Sequence, residues 1–188
     1  MEQEFLRDIV SRLDASGVLY AVTGSLASSF WGIPRTTHDV DVVAVLAAAD
    51  QERILVAFGD CYYLSEAALQ DAISRQSMFN IVDSSKALKA DVWVSRDDPF
   101  SQALLRRRHR VEILPGQPAY IASPEDVLLH KLVWNSITPS ERQLADAAGI
   151  AAVQTGKLDL DYMRSWAVRQ STLSLLEEVL QGKYLKAT

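Results

Sequence analysis

The strongest chemical signal in this chain is a pair of aspartates one residue apart, Asp39 and Asp41, in the run DVDVVAVL (39–46). In an extended strand alternate side chains share a face, so the two carboxylates stand about 6.6–7 Å apart along one side. Val40 and Val42 then turn the other way, toward a core. Two like charges on one face repel, and stability alone rarely selects them; a divalent cation reverses the sign. Mg²⁺ favours oxygen ligands and takes one or two carboxylates plus substrate phosphates. Two such ions about 3.5–4 Å apart activate an attacking oxygen and stabilise a leaving one in phosphoryl chemistry. A D-x-D pair by itself is most often a solvated strand face, so its neighbours decide. Upstream, Gly24-Ser25 lies where a short apolar strand gives way to a helix: glycine admits close backbone approach, and a helix N-terminus offers free N–H groups to an anion. Downstream, Asp91 interrupts the apolar run LKADVWV (88–94). If that strand lies beside 39–46, a third carboxylate joins the pair.

Other charged residues carry weaker signals. Counted from Val127 on a helical wheel, Lys131 falls at about 40°, between apolar positions on a helix that is apolar nearly all round. A lysine there must reach water, a carboxylate or a phosphate; a stem that snorkels to solvent is the plain alternative. Arg35 precedes the Asp39 strand and is suited to bidentate phosphate contact, or is simply a solvated loop residue. Arg106, Arg107, Arg108, His109 and Arg110 form the densest positive run. Such runs are ordinarily solvated, and the functional reading is an electrostatic guide for an acidic acceptor such as RNA, or for a nucleotide's phosphates. Asp126 and Asp146 are candidates for a polar network with Arg142, with ordinary helix capping an equal reading of Asp126. Trp31, Trp93, Trp134 and Trp166 are expected in the core, although alternation sets Trp93 on the Asp91 face. His38 and His130 are given no role.

The elements that must position these residues read as follows. Phe5, Leu6, Ile9, Val10 and Leu13 recur at helical spacing, and a strand follows at 18–22. A small-residue helix runs through Phe30 and Trp31 until Gly32 and Pro34 break it. After the 39–46 strand come a helix at 50–58, a weak strand at 61–64, a helix at 65–75, and strands at 77–82, 88–94, 110–114 and 119–122. Ser123-Pro124-Glu125-Asp126 then supplies an N-cap, a first-turn proline and helix-start acids. Thr138-Pro139-Ser140-Glu141 reads as a capping box, and two more helices are expected at 159–169 and 172–184. The organisation is an α/β core over 1–122 with a helical portion, 123–188, packed on it.

Composition sets the frame. The 188 residues are 48% hydrophobic and 23% charged, a globular balance with no run long enough for a membrane span. The net charge of −5 argues against broad non-specific binding to nucleic acid or anionic membrane. Cys61 has no cysteine to pair with, the three histidines are scattered, and the N-terminal residues lack a secretory pattern; a reduced, cytoplasmic setting is expected.

TGS at 23–25, thirteen intervening residues, DVDV at 39–42 and the later strand acid Asp91 resemble the nucleotidyltransferase superfamily. IPRTTHDVDVV (33–43), ASPEDVLLHKLVW (122–134), SERQLADAAGI (140–150) and LDLDYMRSWA (158–167) look like its small standalone, AbiEii-like branch. The resemblance implies a polymerase-beta-like nucleotidyltransferase fold, an α/β (α+β) class with a mixed sheet. It implies that Gly24 and Ser25 hold the β- and γ-phosphates of a nucleoside triphosphate, ATP among the candidates, with Arg35 and Lys131 assisting. Asp39 and Asp41 would bind Mg²⁺ (or Mn²⁺), and Asp91 would complete a second metal site and help activate an acceptor hydroxyl. The acceptor would be RNA, a protein or a small molecule, as in aminoglycoside nucleotidyltransferases. A toxin–antitoxin or phage-defence setting with a protein partner is implied by analogy. The rival reading is a non-catalytic nucleotide- or partner-binding module on the same fold.

Overall fold

The structure is a computed structural model and describes residues 2–37 and 39–185; His38 lies outside the described residues. The chain divides into two compact units, one within 1–23 and 37–121, the other within 24–36 and 122–188.

The first unit is built on a six-stranded mixed sheet. Its strands are β1 (Leu19–Thr23), β2 (Asp39–Val45), β3 (Met78–Asp83), β4 (Leu88–Val94), β5 (His109–Leu114) and β6 (Gln117–Ile121), in the order β3-β4-β2-β1-β6-β5. β1 runs antiparallel to β2 and parallel to β6, while β2 and β4 are parallel. The sheet carries α1 (Glu2–Ser16), α3 (Gln51–Phe58), α4 (Glu66–Arg75) and α5 (Pro99–Arg107). α1 forms because its apolar residues repeat at three- and four-residue spacing, and Phe5, Leu6, Ile9, Val10 and Leu13 are all buried. It packs against α3, β4 and β6.

β4 alternates cleanly. Leu88, Ala90, Val92 and Val94 are buried, whereas Lys89, Asp91 and Trp93 are half-buried. This is the pattern of a strand with one face in the core and one face open. β2 does the same at its start, with Val40 and Val42 buried opposite Asp39 and Asp41.

Two local expectations are corrected and one helix is added. Residues 61–64 form no strand; a single antiparallel bridge, Tyr63 to Val82, is all that pairs there. α5 was not anticipated, although Asp98 caps it by accepting from the backbone N–H groups of Phe100 and Ser101, and Pro99 starts it. The capping box at 138–141 does not form. Helix α7 (Glu141–Val153) begins after Ser140, whose side chain makes no cap bond and whose N–H donates to the Asn135 side chain at 2.9 Å.

The second unit is helical: α2 (Gly24–Trp31), α6 (Pro124–Ile137), α7, α8 (Leu160–Arg169) and α9 (Leu173–Leu180). Ser123 caps α6 as its sequence anticipates, accepting from the Asp126 N–H at 3.1 Å. α2 lies against α6 and α7. The approach of α2 to α7 is close enough to require glycine. A Cβ on Gly32 would stand 2.8 Å from the Ile150 nitrogen and 2.9 Å from the Gly149 carbonyl carbon, where only backbone could give way.

Candidate functional site

The first unit gathers the three sequence-anticipated acids on neighbouring strands. β2 and β4 pair in parallel with Asp41 opposite Asp91 and Asp39 opposite Lys89. Asp39, Asp41, Lys89 and Asp91 therefore share the open face of the sheet. Asp39 is half exposed and Asp91 is 14% exposed at its side chain.

Two residues that sequence reasoning passed over complete the cluster. The Asn80 amide donates to Asp91 Oδ1 at 2.6 Å, from the β3 position registered with Asp91. Lys89 Nζ donates to both Asp91 oxygens, at 2.8 and 3.1 Å, and lies 3.8 Å from Asp39 Oδ1. The Asp91 hydrogen bond holds the Lys89 ammonium above the ordinary lysine range against the opposing effect of desolvation, and the charges of Asp91, Asp39 and Asp41 add to it. Lys89 was legible, since it sits two residues before Asp91 and strand periodicity is two. Asn80 was not, because inter-strand register is not written in one segment.

Thr23 is a third addition. It closes β1 directly opposite Asp41, so its side chain belongs to the same face. It is 4% exposed, and its hydroxyl has no hydrogen-bond partner among the described residues. A buried hydroxyl left so is costly by about 1–3 kcal/mol, and marks a place where a polar ligand would be welcome.

These features test whether a divalent cation suits the cluster. The donors are hard oxygen atoms of the right chemical kind. A cationic ammonium is already drawn to Asp91 and Asp39, and an orphaned buried hydroxyl stands beside Asp41. Among the described residues, no three His, Cys, Asp or Glu side chains are gathered as a ready-made metal cage. The donor set fits; the present side-chain arrangement is a lysine-bound one.

In the second unit a different network forms. Gly24 takes a left-handed conformation, φ +63°, at the start of α2, which glycine adopts at little cost. Ser25 follows, and its Oγ accepts from Arg35 Nη2 at 2.6 Å. The rest of the Arg35 guanidinium grips Asp146 through two bonds, Nε to Oδ1 at 2.8 Å and Nη2 to Oδ2 at 2.9 Å. Lys131 Nζ donates to the same Asp146 Oδ2 at 2.9 Å. Burial alone would raise the Asp146 carboxyl, but the Arg35 hydrogen bond and the Lys131 charge hold it below the ordinary aspartate range. Two cations thus share one carboxylate, leaving one positive charge uncompensated within the trio. Lys131 is buried as its helical wheel implies. It answers its burial with a carboxylate.

Asp146 does not join Arg142 as expected from sequence, and Asp126 does not either: it receives bonds from the Ser123 hydroxyl, at 2.7 Å, and the Tyr162 hydroxyl, at 2.6 Å. The partnership of Arg35 with Asp146 spans 111 residues, so no local signal announces it.

The arginine run is divided among several places. Arg106 and Arg108 help line a cavity of about 400 Å³ with Leu19, Val45 and Leu105. The Arg108 guanidinium lies 4.4 Å from the Tyr120 ring centre, and Arg110 both covers that ring and pairs with Asp14 at 3.5 Å. Val45 is six residues along β2 from Asp39, about 20 Å at strand rise. The cavity is therefore at the other end of that strand from the acids.

No family model matches the chain, and no curated protein matches it. Solved structures do. An antigenic nucleotidyltransferase-like protein from Paracoccidioides brasiliensis is similar over 99% of this chain and 94% of its own, at TM-score 0.59 and 16% identity. The antibiotic-resistance factor ANT(2'')-Ia, solved with adenylyl-2''-tobramycin, is similar over 89% of this chain and 97% of its own, at TM-score 0.61 and 8% identity. The lincosamide antibiotic adenylyltransferase LnuA, solved with lincomycin, is similar over 81% and 98%, at TM-score 0.56 and 12% identity. This chain has the polymerase-beta-like nucleotidyltransferase fold, with a mixed sheet and C-terminal helices. Among the described residues, no helix is long and apolar enough to cross a membrane.

Proposed function

We propose that this protein is a metal-dependent nucleotidyltransferase that moves a nucleoside monophosphate from a nucleoside triphosphate to a hydroxyl acceptor. The observation that carries the reading is the register of Asp41 with Asp91 on adjacent parallel strands, with Asp39 on the same open face. A stability-driven sequence would rarely set three acids there. ATP is the preferred donor, because two similar structures are of proteins named for adenylyl transfer or solved with an adenylylated product. The same proposal includes membership of the AbiEii-like branch, on the motifs at 33–43, 122–134, 140–150 and 158–167.

In this reading Asp39, Asp41 and Asp91 would hold Mg²⁺, which would supply charge for the developing phosphoryl oxygens. Gly24 and Ser25 take the β- and γ-phosphates: the left-handed glycine leads into a helix whose first N–H groups lack intrahelical partners. Arg35 orients the Ser25 hydroxyl and, with Lys131, contributes the uncompensated positive charge. Asp146 keeps both cations in place. The acceptor oxygen forms a bond to the α-phosphorus as the bond to pyrophosphate breaks, and the hydroxyl proton passes to Asp91, which Asn80 orients. The arginine run has no part in these steps. An RNA acceptor tracking Arg106–Arg110 is an alternative that the assay below also reads.

The test is transfer of α-phosphate label from each of four nucleoside triphosphates to hydroxylated antibiotics, bulk RNA and co-purifying protein. Asp39→Asn and Asp41→Asn should each abolish labelling while leaving the melting temperature unchanged or raised. Labelling that survives both substitutions removes the acids from the chemistry. Metal-dependent triphosphate binding without transfer to any acceptor would favour the binding-module reading.

A further inference from the structure

We propose that Lys89 is a resident counter-ion of the acid cluster, which a divalent cation must displace before Asp91 becomes available for chemistry. The inference rests on reading the acids as a metal site, and adds to it a mechanism that sets metal affinity.

Lys89 and Asp91 lie two residues apart on β4, so both side chains emerge on the open face, and parallel register puts Asp39 opposite Lys89. The ammonium makes bonds of 2.8 and 3.1 Å to the two Asp91 oxygens and stands 3.8 Å from Asp39. It therefore supplies the positive charge that neighbouring carboxylates need when no metal is present. A lysine is suited to leave. Its side chain is 45% exposed, its stem is flexible, and water replaces the carboxylate contacts at its tip. Asp91 does not depend on it for orientation, because the Asn80 amide grips Oδ1 independently at 2.6 Å.

Two consequences follow. While Lys89 is bound, its ammonium occupies both Asp91 oxygens. Metal entry and lysine release are then the same event, and Asp91 joins Asp39 and Asp41 as a ligand only as the lysine leaves. Lys89 also weakens metal binding. A unit positive charge held about 6 Å from a divalent ion in a water-like medium costs about tenfold in affinity. The residue is a positioning residue, and it touches neither nucleotide nor acceptor.

The test uses Mn²⁺ alone as the probe, titrated into the full chain without nucleotide and followed by electron paramagnetic resonance. It also uses thermal melting in chelator and in Mn²⁺. Lys89→Gln removes the charge, and Lys89→Arg keeps it. The proposal expects Lys89→Gln to bind Mn²⁺ about tenfold more tightly than the parent, and Lys89→Arg to bind within about twofold of it. It also expects Lys89→Gln to melt lower than the parent in chelator and to recover with Mn²⁺ by a larger rise. If the parent binds Mn²⁺ and Lys89→Gln binds it equally or more weakly, the counter-ion proposal is overturned and the metal reading of the acids stands. If neither binds Mn²⁺ and neither melting temperature responds, both the proposal and the metal reading fall.

Discussion

Replacing Asp146 with asparagine preserves the shape of the side chain and removes the charge that holds two cations. In the structure Asp146 accepts two bonds from Arg35 and one from Lys131, all between 2.8 and 2.9 Å. The Lys131 and Asp146 side chains are each 7% exposed, so water cannot replace the lost partner. Breaking a buried pair in this way costs about 3–5 kcal/mol, chiefly because the surviving charges stay buried. With a urea slope of about 2 kcal/mol per molar, the unfolding midpoint should fall by about 1.5–2.5 M. Lys131→Met should cost less, because Asp146 keeps both Arg35 bonds. In the Asp146→Asn background Lys131→Met should cost less still, with a coupling of at least about 1 kcal/mol. A loss below about 1 kcal/mol for Asp146→Asn, or additive single losses, would refute the claim that the trio is a desolvated unit.

Further outcomes follow from the same geometry. Because the Asp146 carboxyl is held below its unfolded value, its stabilisation is full above about pH 4 and is lost as pH falls through the folded value; the melting temperatures of Asp146→Asn and the parent should converge there and separate above it. Gly32→Ala should destabilise by about 1–3 kcal/mol, read by urea unfolding, since the new Cβ would meet backbone at 2.8 and 2.9 Å. A neutral result would mean that α2 can draw back without loss. Asp98→Ala should cost about 1 kcal/mol through the two N–H groups it caps on α5, with hydrogen exchange rising first at Phe100 and Ser101.

What the sequence reveals and what it hides divide along physical lines. β2 and β4 are legible because β-branched and apolar residues alternate with Asp39, Asp41 and Asp91, and that alternation also fixes which side chains share a face. α1 is legible from its three- and four-residue apolar spacing, and α6 from its Ser123 cap and first-turn Pro124. α5 is hard to read because it is short and its buried residues, Ala103, Leu104 and Leu105, are consecutive and show no helical spacing, although Asp98-Pro99 is a helix-start signal. The Thr138–Glu141 box has the right residue types, yet the Asn135 side chain takes the Ser140 N–H and the helix starts later. At the acid cluster, Lys89 follows from periodicity, whereas Asn80 needs the β3–β4 register and Thr23 the β1–β2 register. The Ser25–Arg35–Asp146–Lys131 network is the least legible. Its members come from α2, the segment after it, α6 and α7, and they meet only through the packing of α2 on α6 and α7 and of α6 on α7.

Calorimetric titration of ATP, GTP, CTP and UTP, with and without Mg²⁺, into the parent and Asp41→Asn reads whether the acids assemble a metal–nucleotide site. Mg²⁺-dependent binding of one triphosphate, ATP first, is expected, with its loss in Asp41→Asn. Binding that ignores Mg²⁺ or survives Asp41→Asn would contradict that reading of the acids.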